Sequence, residues 1–69
     1  MYKLYLLTDN KKALIGEFKT ATKADQTARE RATARAIVNK ALKTEKPFAF
    51  VITDKDGVFY KAYARDYKL

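Results

Sequence analysis

The sequence predicts an α+β domain of the form ββαββ, a four-stranded antiparallel sheet with one long helix packed on one face. Three observations lead there. Two apolar, aromatic runs, YKLYLLT (2–8) and ALIGEFK (13–19), flank the turn signal DNKK near the start. A long alanine-rich segment without Gly or Pro follows. Two further strand-like runs, PFAFVIT (47–53) and VFYKAYARDY (58–67), then flank DKDG.

Residues 2–19 therefore read as a β-hairpin. Thr22 stands three residues before Asp25, a variant of the capping box, and predicts a helix over about 22–44. Pro47 ends it, because the residue before a proline disfavours helix. In DKDG, Gly57 is free to take positive φ, which closes a second hairpin. The first and third strands are apolar on both sides (LYLL, FAFVI) and suit central positions, so the expected sheet order is 2-1-3-4. One helix covers only one face of such a sheet.

At about 100° per residue, Ala34, Ile37, Val38, Ala41 and Leu42 share a helix face, extended by Ala24 and Thr27. Small residues let the helix lie close, and Gly16 is expected beneath it for the same reason. Arg29, Lys40 and Lys43 point the other way and form a basic face. Arg31 and Arg35 fall in or beside the apolar stripe. Either their stems pack over the sheet rim while the guanidinium groups reach water or Asp66, or they build an anion site.

Sixty-nine residues make one domain, 1–69. Cysteine and histidine are both absent, which removes disulfides, thiol nucleophiles, ordinary zinc sites and the commonest general base. No catalytic residues, metal or cofactor are expected, and the chain reads as a non-enzyme. Some small ribonucleases work with Lys, Arg and Tyr alone, but a fold this small has little room to enclose a substrate. TDKDG resembles the start of a calcium loop, yet the remaining ligands are missing and a hairpin turn explains it. TAR recurs at 27–29 and 33–35, but that spacing turns the two arginines roughly 120° apart, which does not suit a DNA-reading helix. The opening residues lack the pattern of a signal peptide and no run is long enough to span a membrane, so a cytoplasmic location is expected.

Fifteen Lys and Arg stand against eight Asp and Glu, a net charge of +7 that favours polyanions or acidic surfaces. The stretch FYKAYARDY alternates aromatic and cationic residues with mostly small ones. With its small side (Tyr60, Ala62, Ala64) turned to the helix, Phe59, Lys61, Tyr63, Arg65 and Tyr67 join Lys3 and Tyr5 on the uncovered face. There Tyr5, Phe59, Tyr63 and Tyr67 would stack on unpaired bases while Lys3, Lys61 and Arg65 neutralise phosphate. The expected function is thus nucleic-acid binding, to single-stranded DNA or RNA or to a nucleoprotein. The alternative is a small regulator or inhibitor of the size phages and plasmids encode, docking the same face on a host protein or nucleoprotein, or forming a homodimer.

Overall fold

The computed structural model describes residues 1–9, 11–43 and 46–68. Its elements are β1 (Tyr2–Thr8), β2 (Lys11–Phe18), α1 (Ala21–Leu42), β3 (Phe48–Thr53) and β4 (Phe59–Arg65). The sheet order is β2-β1-β3-β4 and every neighbouring pair is antiparallel, as the sequence predicts. α1 packs on one face.

α1 begins slightly earlier than expected. Thr20, not Thr22, is the N-cap: its backbone is extended and its Oγ1 accepts the Lys23 N–H at 3.2 Å. At the other end Lys43 turns left-handed, φ 55, and its N–H returns to the carbonyls of Asn39 and Lys40. Residue 44, where the expected helix ends, lies outside the described residues.

The helix face against the sheet is an alanine stripe. Ala24 and Ala28 are fully buried, and Ala32 and Ala36 continue the row at four-residue spacing. Opposite them the sheet supplies the bulk through Leu4, Phe48, Phe50 and Ile52, all buried. Interiors pack at nearly constant density, so large side chains on the sheet leave room only for small ones on the helix. This corrects the expected stripe: Ile37 is 64% exposed, Val38 52% and Leu42 66%. Length contributes too, since a 22-residue helix spans about 33 Å and a seven-residue strand about 23 Å. The sheet cannot cover every turn.

Two bulges decide which strand residues share a face. Between β1 and β2, Leu4 lies opposite Gly16 and Tyr5 opposite Leu14, leaving Ile15 as the extra residue. Ile15 therefore packs on the core and Leu14 faces out, the reverse of simple alternation. Between β3 and β4, Ile52 lies opposite Lys61 and Thr53 opposite Phe59, leaving Tyr60 extra. Gly16 is not under the helix backbone; the ring of Phe18 covers it at 3.5 Å from where a Cβ would stand.

The second hairpin turn is organised by Asp54. Its Oδ1 accepts the N–H groups of Asp56 (2.8 Å) and Val58 (2.9 Å), and Gly57 takes φ 81. The strand after it is shorter than expected, because Asp66 turns to φ 55 and ends β4 at Arg65. No helix among the described residues is long and apolar enough to cross a membrane.

Candidate binding surfaces

The register sorts the proposed interface residues onto two faces. Residues opposite each other in an antiparallel pair project to the same side. Lys61, Tyr63 and Arg65 lie opposite Ile52, Phe50 and Phe48, so they stand on the helix side. Placing them with Lys3 and Tyr5 on the uncovered face is therefore corrected. The cause is the bulge at Tyr60, which shifts the alternation of β4 by one residue. Phe59, before the bulge, does lie outside beside Thr53 and is 60% exposed. Tyr67 lies beyond β4, past the left-handed Asp66, and belongs to neither row.

On the helix side these residues form a tether. The Tyr63 hydroxyl donates to Asp25 Oδ1 at 2.5 Å, and Lys61 Nζ lies 3.5 Å from the same oxygen. Lys61 also sits 5.4 Å from the Tyr63 ring centroid. The hydrogen bond from Tyr63 holds the Asp25 carboxyl below its ordinary value, opposed by partial desolvation and reinforced by the Lys61 charge. Lys61 is raised, first by its hydrogen bond with Tyr63 and then by the Asp25 charge. Tyr60 turns edge-on to Tyr2, ring centroids 5.6 Å apart. The aromatic and cationic side of β4 thus binds the helix of its own chain.

The uncovered face consists of three rows across the strands. Glu17, Lys3, Thr53 and Phe59 make the first; Leu14, Tyr5, Val51 and Ala62 the second; Lys12, Leu7, Ala49 and Ala64 the third. It is mainly apolar. Lys12 Nζ lies 4.4 Å from the Tyr5 ring centroid and covers that ring. Phe59 is the more open of its two aromatics.

Charge is distributed unevenly along the strands. At the end holding the β1–β2 connection and the C-terminus of α1 stand Lys11, Lys12, Arg35, Lys40, Lys43, Lys46, Arg65 and Lys68. The described carboxylates there are only Asp9 and Asp66. The opposite end mixes Lys3, Lys19, Lys23, Lys55 and Lys61 with Glu17, Asp25, Asp54 and Asp56. Lys40 and Lys43 of the expected basic helix face belong to the crowded end, whereas Arg29 is exposed midway along α1. Arg35 lies with its guanidinium 5.7 Å from the Phe48 ring centroid, its stem along the core edge.

Clefts flank the C-terminal half of α1. On the β4 side Ala32, Ala36, Ile37, Phe48, Tyr63 and Arg65 line about 550 Å³. On the other side Leu6, Ile15, Arg31, Arg35, Val38 and Phe50 line about 270 Å³. Among the described residues no three carboxylates come together in a metal-ligating group. Compared with protein-family models, curated proteins and solved structures, the chain matches none.

The sequence pattern missed the tether and the charge gradient for different reasons. Asp25 and Tyr63 are far apart in the chain, so only the β3–β4 register connects them. The gradient follows from strand order and direction, which spread Lys11, Lys46 and Arg65 over three segments before the fold gathers them.

Proposed function

We propose that this protein is a small, basic, non-enzymatic binding module whose principal ligand is nucleic acid, single-stranded DNA or RNA or a nucleoprotein. The observation that supports it is the concentration of lysine and arginine at one end of the molecule, with few carboxylates beside them among the described residues. A phosphate strand laid across that end would release counterions from several cations at once, which makes affinity strongly salt-dependent. Phe59 and Tyr5 on the uncovered face remain candidates for base stacking, worth about 1–3 kcal/mol per base. Tyr63 does not, since its hydroxyl and ring are engaged by Asp25 and Lys61.

The bare apolar sheet face favours a second reading. Leu7, Leu14, Val51 and Phe59 give it the character of a protein interface, and Lys3 and Lys12 give it a basic rim. On that reading the protein is a regulator or inhibitor of the phage or plasmid kind, docking on a host protein or nucleoprotein, or on a second copy.

Fluorescence anisotropy with labelled single strands at several salt concentrations separates the two, run beside pull-downs from nuclease-treated and untreated lysates. Steeply salt-dependent binding, with partners lost on nuclease treatment, is expected for a nucleic-acid binder. Partner capture that survives nuclease and is lost in Phe59→Ala or Leu14→Lys would establish protein docking instead.

A further inference from the structure

A third cleft, of about 350 Å³, opens at the crowded end between the β1–β2 connection, α1 and the start of β3. Thr8, Asp9, Lys11, Arg35, Lys46 and Pro47 line it. Arg35 reaches it from the helix and is held in place by the Phe48 ring beneath its guanidinium. Its Nε is buried and finds no hydrogen-bond partner among the described residues. Such a nitrogen is a donor in want of an acceptor, because buried polar groups are nearly always paired. Lys11 and Lys46 bring two more cations from separate segments, and Arg31 lines the adjoining cleft that Arg35 also borders. Asp9 is the one carboxylate in the lining, yet among the described residues the ion pair found is Lys61 with Asp25, at the other end. Three cations set against one described carboxylate raise the energy of the empty site, and an anion between them offsets that repulsion.

We propose that this cleft is a phosphate-binding site, with Arg35 as the directional donor and Lys11 and Lys46 as flanking charges. Arginine suits the task because its planar N–H groups match two phosphate oxygens at once. The volume leaves room for more than a bare phosphate, which fits a phosphoester and part of the sugar or base attached to it. The assignment rests on the nucleic-acid reading for its natural ligand. It does not depend on that reading for the site itself, since a free phosphate ester has the same chemistry.

NMR of the ¹⁵N-labelled protein gives a direct test through the Arg35 Nε–Hε resonance. Titration with inorganic phosphate, then with adenosine monophosphate, is compared with sodium chloride at equal ionic strength. A saturable shift beyond the chloride control is expected. Short oligo-dT is then bound by wild type, by Arg35→Ala, and by the Lys11→Ala, Lys46→Ala double variant, which keeps the Arg35–Phe48 stack. Each is expected to lose about tenfold in affinity and to flatten the salt dependence by roughly one unit of slope per cation. Lys55→Ala, on the distant hairpin turn, should match wild type. If oligo-dT binds wild type and the cleft variants equally, the cleft is not the phosphate site while nucleic-acid binding stands. If oligo-dT fails to bind wild type but phosphate still shifts Arg35, the cleft serves a free phosphate ester and the nucleic-acid reading falls. Absence of any shift above chloride overturns the site.

Discussion

Tyr63 and Asp25 are joined across 38 positions of sequence by one hydrogen bond, and that bond ties the helix to the edge strand. Removing only the hydroxyl in Tyr63→Phe leaves the ring in place and should lower the melting temperature. Asp25→Asn should do the same, and the double variant should be little worse than either single one, because both remove the same contact. Additive losses in thermal melts would mean that the two act separately. The Asp25 carboxyl lies below its ordinary value in the folded state, so its contribution is fully present above that value, about 4, and is lost as pH falls through the lower folded value. Tyr63→Phe should therefore flatten the acid limb of the stability profile below about pH 4. The two glycines differ for a reason just as local. Gly57 sits at φ 81, so Gly57→Ala should cost about 1 kcal/mol, whereas Gly16→Ala meets only ordinary contact with Phe18 and should stay within about 0.5 kcal/mol.

At the scale of the element, α1 and the sheet divide the interior volume unequally. Lengthening the helix face is then the damaging change: Ala28→Leu should cost about 1–3 kcal/mol through overpacking. Leu4→Ala, on the sheet side, should cost about 2–5 kcal/mol through the cavity it leaves. Ile37→Ala and Leu42→Ala, by contrast, should stay near 0.5 kcal/mol, since both side chains face water. Urea titration of these four variants tests the division. The order of elements, the sheet topology and the second hairpin turn were all legible in the sequence, because turn residues and apolar runs are local signals. The facing of residues was not. Period-two alternation assigns Leu14 inward and Tyr63 outward, and each assignment fails just past a single extra residue, Ile15 or Tyr60. Hydrophobicity ranks Ile37 and Leu42 above alanine for burial. The choice of alanine depended on the size of Phe48 and Phe50, which come from a different part of the chain.

Over the whole molecule, net charge opposes folding in a chain this small. The +7 is concentrated where the C-terminus of α1 meets the strand ends, so self-repulsion falls mainly on that end. Salt should therefore stabilise the protein. Raising ionic strength from about 0.01 M to 0.15 M shortens the screening length from roughly 30 Å to 8 Å, comparable with the molecule's 22 Å middle dimension. The melting temperature is expected to rise by several degrees across that range, and a polyanion such as heparin should raise it further at low salt. Calorimetry showing a fall with added salt would mean that attractive pairs, not repulsion, dominate the surface. The charged groups of the candidate phosphate site were legible as residues but not as a site, since Lys11, Arg35 and Lys46 come from three segments.

The bulge at Tyr60 gives β4 two ways of lying against β3 with the same residues. Deleting Tyr60 would leave Phe59 opposite Thr53 and Lys61 opposite Ile52, so alternation becomes regular and the clasp keeps its side. Closing the bulge with Tyr60 retained, so that Tyr60 pairs with Ile52, would instead slip the rest of β4 by one residue. Asp25 would then lose Tyr63 and Lys61, and Ala62 and Ala64 would meet the helix in place of Tyr63. Lys61, Tyr63 and Arg65 would emerge on the open face, beside Lys3 and Tyr5. One unpaired residue thus separates an internal clasp from an external stacking surface on the same topology.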